Sequence, residues 1–551
     1  MKRFKYIFIA LIVIFGNLST AEALDIQYGT VLGYSGSNIL VEYSGIGKKK
    51  NFLCNTVSRN CSTTKKTALG TKETSALAAS VRDELRNARA SHITVSPSGN
   101  FVAYYKTSTT ENQTRSFVIR DLKTGKEYSV SRPSTASYWD LVNDQARVFE
   151  FSPDGKKLIY LDDTDGAFAL YSVDTTTLSE TTMKENRVPL AAYQVDDFIF
   201  TDSDTLYYVG NAKDNRYLWS LYRHDFRTGK DSIVASKVSY VDSLLKIGSS
   251  IVFNQMQTRG FGLALYNTSS KKVLQFKIPG IGTKNTVSNE EVIMTENVHG
   301  VLMTPAKIDP SKTYPLLIWL HGGPYRQTSY GYHPFHSYGT YDSILQLLRK
   351  NNVVVLKLDY KGSYGFGRDF AEGLKGSVGT GDVENVMNAI SYAKTRFTVG
   401  GVYLAGNSYG GYLSLRSIVE HPYSFTGVMS INGVTDWESL LTSLKTSIFN
   451  THFNGAPDSS NKTLYDQASV VNRINILGNQ KISLIQAQAD QTIPPWQADF
   501  LYGKLKEQNK NVSIVKYEGE DHVFEKKSAI SDLCIQMFNF VGVKPDKECK
   551  K

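Results

Sequence analysis

One six-residue stretch constrains the fold of this chain more than any other: Gly406-Asn407-Ser408-Tyr409-Gly410-Gly411. The apolar run Val402-Tyr403-Leu404-Ala405 precedes it, and the helix-like segment Tyr412-Leu413-Ser414-Leu415-Arg416-Ser417-Ile418-Val419 follows it. Strand, G-x-S-x-G and helix in that order make a nucleophile elbow, in which a serine sits on a sharp, strained turn. The glycines have a steric task, because a side chain two residues to either side would strike the crossing strand or helix. An ordinary strand-to-helix turn draws on the same residue types, so the reading rests on the partners that a nucleophilic serine needs.

A serine hydroxyl needs a general base, and the base needs an orienting carboxylate. In this arrangement the chain order is Ser, Asp, His. After Ser408 the chain has three histidines, His421, His452 and His522. His421 lies at the end of the elbow's own helix and points away. His452 has no strand before it. His522 follows the strand-like Val512-Ser513-Ile514-Val515-Lys516-Tyr517 and a turn, and the C-terminal ends of strands are where open α/β sheets gather their sites. His522 is therefore the expected base. By the same logic Asp490 is the expected acid, three residues past the buried-strand pattern Lys481–Ala487. Asp499 and Asp532 fall in helical segments, and Asp521 is adjacent to His522 and badly placed to meet it. The oxyanion of acyl transfer needs N–H donors. The Tyr409 N–H is one, and Gly323, in the loop His321-Gly322-Gly323-Pro324 after the strand Tyr314–Leu320, is the expected second. His321 is read as structural.

These stretches together resemble the prolyl oligopeptidase family of serine peptidases, above all its acylaminoacyl-peptidase and dipeptidyl-peptidase-like branches. The resemblance is carried by Tyr314–Pro324, Leu358–Arg368, the elbow, Asp490–Pro494 and Tyr517–Phe524, which span most of the C-terminal half. It implies an α/β-hydrolase domain capped by an N-terminal all-β propeller, and cleavage of short peptides. It gives Ser408, Asp490 and His522 as nucleophile, acid and base, and Tyr409 and Gly323 as oxyanion donors. It also implies that Val434, Trp437, Tyr409 and Ile493 line the pocket for the residue before the scissile bond. Two departures stand out. Many relatives carry arginine two residues after the catalytic aspartate, where this chain has Thr492. The paired glutamates that hold a free amino terminus in dipeptidyl peptidases have no evident counterpart.

The N-terminal half reads differently. Short alternating strands recur, as in Asn38–Tyr43, Phe101–Lys106, Lys157–Leu161, Thr205–Val209 and Ser250–Asn254. Ser96-Pro97-Ser98-Gly99 matches Ser152-Pro153-Asp154-Gly155, and Asp121–Gly125 matches Asp225–Gly229. A period of roughly 40 to 50 residues reads as propeller blades, about five of them. Thr74–Ala90 breaks the pattern and looks helical. A ring of blades over the hydrolase mouth would act as a gate for thin, flexible chains; a scaffold that binds something else is the alternative.

Residues 1–23 read as a secretory signal, with Lys2, Arg3 and Lys5 before a short apolar run and Ala21-Glu22-Ala23 as the cleavage site. The expected division is 1–23 signal peptide, 24–283 β-propeller and 284–551 α/β-hydrolase. After cleavage no integral membrane segment is expected, and the product is secreted or periplasmic. Export makes disulfides plausible. Cys54 with Cys61, and Cys534 with Cys549, form two local pairs, each adding on the order of 2–3 kcal/mol. The formal net charge is +10. It is spread along the chain, with no basic and aromatic stripe, so nucleic acid is not an expected partner. No cofactor is expected. No metal site is expected either, because the chain has no H-E-x-x-H and His333-Pro334-Phe335-His336 has no helix to align it. An esterase on the same scaffold, or a catalytically inactive propeller-based binding protein, remains open beside the peptidase.

Overall fold

The computed structural model describes residues 28–550 apart from 46–47, 66–78, 88–89, 108–113, 134–147, 163–166, 179–182, 239–240, 258–259, 279–288, 334–335 and 445–448. The expected signal segment and the 283/284 boundary lie outside the described residues, as do Pro334 and Phe335.

Among the described residues of 28–275 there are five four-stranded antiparallel sheets in succession, each a simple up-and-down meander. Their strands run from Tyr28 to Thr64, Ala90 to Pro133, Phe149 to Arg187, Gln194 to Val238 and Val241 to Gln275. The matched turns are built alike. In both S-P-x-G turns the glycine N–H returns to the serine carbonyl, at 2.9 Å for Gly99 and 2.8 Å for Gly155. The serine hydroxyl then accepts the N–H that starts the next strand, from Phe101 and from Lys157, each at 3.0 Å. Gly99 and Gly155 hold φ of 74° and 71°, a left-handed backbone that glycine adopts at little cost.

Alternating apolar residues put each sheet against its neighbours. Phe117 of the second sheet stacks on Tyr160 of the third at 4.0 Å between ring centres. The third and fourth share a cluster that includes Phe168, Phe198 and Tyr208. Leu221 of the fourth packs with Ile251 and Phe253 of the fifth. Ile39 and Val41 of the first meet Val252 and Leu263 of the fifth. The Cys54–Cys61 disulfide joins paired positions of neighbouring strands in the first sheet. Within the Thr74–Ala90 interruption a helix covers Ala79–Asn87, with Leu85 packed on the second sheet.

From Glu290 onward the chain makes one eight-stranded sheet. Numbered in chain order within it, the strands lie side by side as 1-2-4-3-5-6-7-8. The first two pairings are antiparallel and the rest parallel. A parallel sheet is covered on both faces, so its strands are apolar almost throughout. Tyr314–Leu320 shows how the two faces divide. Leu316, Ile318 and Leu320 join one cluster with the helices Gly381–Arg396 and Tyr409–Glu420. Leu317 and Trp319 join another with His336–Lys350 and Lys527–Phe540. The Cys534–Cys549 disulfide ties the C-terminal segment to the last of these helices. Among the described residues no helix is long and apolar enough to cross a membrane.

Candidate active site

The strand Val399–Asn407 ends at Ser408, and the helix Tyr409–Glu420 begins immediately after it. Ser408 holds φ 56° and ψ −122°, a conformation that a residue with a side chain rarely adopts. The reason for the flanking glycines is measurable. A Cβ on Gly406 would lie 2.4 Å from Leu320 O, and one on Gly410 would lie 2.0 Å from the same oxygen. Two N–H bonds fix the turn: Ser408 N–H donates to Ile431 O at 2.8 Å, and Tyr412 N–H donates to Ser408 O at 3.0 Å.

Asp490 and His522 sit just past the ends of the strands Lys481–Ala487 and Val512–Tyr517, which pair in parallel. Their side chains meet, with His522 Nδ1 2.8 Å from Asp490 Oδ2. The other carboxylate oxygen, Oδ1, accepts the N–H groups of Thr492 and Ile493, each at 2.8 Å. The carboxylate is fully buried while the imidazole keeps some exposure. Three donors therefore hold this acid in one orientation, with one oxygen left for the ring. Thr492 contributes a backbone bond here.

Asn432, which the sequence reading did not single out, ties these loops together. It follows Ile431, the acceptor of the Ser408 N–H. Its own N–H donates to Ile485 O, its Oδ1 accepts Ala487 N–H at 2.8 Å, and its Nδ2 donates to His522 O at 3.1 Å. Asn432 takes φ 48°, a left-handed conformation that Asn tolerates better than most residues. Its one local signal is an Asn-Gly pair after an apolar run.

The loop His321–Pro324 lies against the serine. A Cβ on Gly322 would be 3.1 Å from Ser408 Cβ and 3.1 Å from the Tyr338 hydroxyl. Tyr338, also missed by sequence reasoning, thus brings a phenol to the same side of the loop. Gly323 has φ 128°, a geometry that excludes a side chain. His321 is buried, and both ring nitrogens are engaged. Nδ1 is 2.8 Å from Gly322 O, and Nε2 is 3.0 Å from Ser363 Oγ and 3.2 Å from Asp359 Oδ1. It braces the loop. His421 is exposed at the end of the elbow helix, and His452 is buried with Nε2 2.7 Å from the Tyr325 hydroxyl.

Val434, Trp437, Tyr409 and Ile493 all belong to the large buried apolar core on the elbow-helix face of the sheet, and the Tyr409 and Trp437 ring centres are 6.0 Å apart. Trp437 is 0% exposed and packs on Phe449 at 4.8 Å and on Phe453 at 5.5 Å. The sequence reading named neither phenylalanine. The Tyr409 hydroxyl donates to Asp382 Oδ2 at 2.7 Å. Burial and the Asp382 charge push this phenol well above its ordinary range, so it stays protonated.

Among the residues by which the N-terminal half reaches into this region are Tyr217 and Arg216, besides Phe168, whose ring lies 6.3 Å from that of Tyr364. Tyr217 donates its hydroxyl to Asp359 Oδ2 at 2.6 Å. Arg216 donates from Nη1 to Gly365 O at 2.9 Å, with its guanidinium 4.1 Å from the Tyr193 ring centre. Burial and the Asp359 charge raise the Tyr217 phenol well above its usual range. Among the described residues no group of three or more His, Cys, Asp or Glu side chains could hold a metal ion.

Residues 339–545 match the model of the prolyl oligopeptidase family. An uncharacterized peptidase, YuxL, of Bacillus subtilis is 27% identical over 249 residues, covering 43% of this chain and 36% of its own length. The acylamino-acid-releasing enzyme of Rattus norvegicus is 26% identical over 240 residues, 42% of this chain and 32% of the enzyme. The matches thus span about a third of the length of these curated relatives. Among solved structures, a puromycin hydrolase superposes with a TM-score of 0.68 at 15% identity, over 94% of this chain and 79% of the hydrolase. The dipeptidyl peptidase 4 of Porphyromonas gingivalis gives 0.64 at 16% identity, over 94% and 71%. At such identities the likeness is one of fold, and it extends over both halves of the chain.

Proposed function

We propose, since the C-terminal half of this chain belongs to the prolyl oligopeptidase family of serine peptidases, that the protein hydrolyses short peptides through an acyl-enzyme on Ser408. The observation that carries this reading is the His522–Asp490 pair at 2.8 Å, at strand ends of the same sheet whose strand Val399–Asn407 runs into an elbow serine with φ 56°.

In this mechanism Ser408 Oγ attacks the peptide carbonyl carbon, and His522 Nε2 takes the hydroxyl proton. Asp490 accepts the Nδ1–H bond and stabilises the imidazolium. The carbonyl oxygen becomes an oxyanion and receives hydrogen bonds from the Tyr409 and Gly323 N–H groups. When the intermediate collapses, His522 returns the proton to the leaving amine. Water then repeats the cycle on the acyl-enzyme and releases a carboxylate. Val434, Trp437 and Ile493, with Phe449 and Phe453, supply an apolar wall for the side chain before the cut.

The five sheets are proposed to be the blades of a propeller spanning 24–283, set over a hydrolase domain of 284–551. Their succession and the contact between first and fifth support that reading. A narrow entry through or beside such a cap would favour thin, unfolded chains. Export is proposed from the basic and apolar start of the sequence, and the two disulfides are consistent with an oxidising compartment.

A fluorophosphonate probe tests the nucleophile. Native protein should become labelled and Ser408→Ala should not; equal labelling of the two would remove Ser408 from the role. Panels of peptide and p-nitrophenyl ester substrates then decide the reaction, with faster turnover of peptides expected over matched esters after correction for their intrinsic reactivity.

A further inference from the structure

Beside the elbow helix lies a cavity of about 270 Å³, among whose lining residues are Thr380, Arg416, Glu420, His452, Gln467 and Arg473. Arg416 projects from the helix that begins after Ser408 and is 3% exposed. One of its three nitrogens is paired: Nη2 is 2.5 Å from Glu420 Oε1. Nε and Nη1 have no acceptor. Arg473 draws on the same carboxylate, with Nη1 3.2 Å from Glu420 Oε1 and Nη2 3.4 Å from Oε2. Two guanidinium groups thus share one carboxylate. The nearby buried acid Asp382 is committed elsewhere, to the Tyr409 hydroxyl and to the N–H groups of Gly379 and Val383.

A buried arginine with unmade hydrogen bonds and half a counter-ion is costly, because desolvation of the charge is not repaid. Anionic oxygen supplies both missing quantities, acceptors and negative charge. We propose that this cavity is a binding site for a small oxyanion, a phosphate or short carboxylate, held by Arg416 and Arg473. The size agrees. At about 270 Å³ the cavity has room for several waters, enough for such an ion with part of its hydration and less than a typical drug-sized ligand needs. The site is separate from the proposed peptide-cutting residues, and Arg416 lies on the helix that begins just after Ser408.

The full chain is titrated with inorganic phosphate and, separately, with malonate, at constant ionic strength set with sodium chloride. Unfolding temperature and calorimetric heat are recorded. The expected result is saturable stabilisation by at least one of the two ions, with Arg416→Met and Arg473→Gln each weakening binding by about tenfold or more. Both variants should keep fluorophosphonate labelling of Ser408. Stronger binding of phosphate identifies a tetrahedral ion, and stronger binding of malonate a carboxylate. Stabilisation that rises without saturation and equally in wild type and Arg473→Gln, or no response to either ion, overturns the proposal. If Arg416→Met does not fold, Arg473→Gln decides, since that side chain is 39% exposed.

Discussion

Tyr217 spans the junction between the two halves of this protein, donating its buried hydroxyl to Asp359 Oδ2 at 2.6 Å. The other oxygen of Asp359 accepts Thr328 N–H at 2.7 Å and lies 3.2 Å from His321 Nε2. A residue of the N-terminal sheets is thus two polar contacts away from the loop of Gly323. Tyr217→Phe removes the first bond and keeps the ring. It should lower stability by about 1–3 kcal/mol, the range for leaving a buried acceptor short of a donor. It should also slow fluorophosphonate labelling severalfold. Urea unfolding and labelling rates measure both; unchanged values would mean that the junction bond carries neither load.

Asp490→Asn tests the orienting acid without emptying its site. An amide oxygen can keep the bonds from Thr492 and Ile493 N–H, so circular dichroism and the urea midpoint should stay close to wild type. Peptide turnover should fall by roughly 10⁴-fold, because the amide favours the wrong imidazole tautomer. A loss under tenfold would remove Asp490 from the mechanism.

Glycines in two helices should respond in opposite directions to the same substitution. Gly410→Ala would drive a methyl to 2.0 Å from Leu320 O. A clash with strand backbone of this kind should cost more than about 3 kcal/mol or prevent folding. Gly503, in the helix Trp496–Glu507, has open space where a methyl would sit, with nothing within 4 Å of that point. Gly503→Ala should therefore stabilise by about 0.5–1 kcal/mol through helix propensity. Thermal unfolding of both variants provides the comparison.

His452 should make stability depend on pH below neutrality. Burial, with a smaller contribution from Lys375, lowers its imidazole from 6.5 to about 4. A depressed value means that the folded state prefers the neutral ring. Its contribution is complete above about 6.5 and is lost as pH falls toward 4. Between pH 6.5 and 4.5 wild type should lose about 2 kcal/mol more than His452→Gln. Urea midpoints across that range measure the difference, and parallel profiles would contradict it.

The strands and turns that carry the site were legible because their signals are local. Lys481–Ala487 and Val512–Tyr517 are apolar enough to be buried strands, and the residues just beyond such strands fall on one edge of a parallel sheet. The S-P-x-G turns were equally plain, since glycine with positive φ and a serine acceptor repeat in both. What escaped depends on distance in space. Nothing near Asn432 in the chain announces that its amide will reach His522, ninety residues on. Tyr338 meets Gly322 only because the helix His336–Lys350 packs beneath the sheet. Tyr217 reads as one more aromatic in an alternating strand, and its partner Asp359 lies in the other half.

The segment from Asp359 to Gly365 is gripped from two sides, by Tyr217 and Arg216 on one and by His321 on the other. The two halves are therefore geared rather than hinged. Any swing of one half against the other must either tear Tyr217 from Asp359 or drag the brace of the glycine loop with it. On the proposed mechanism, admitting a peptide and presenting the Gly323 donor would be parts of one movement.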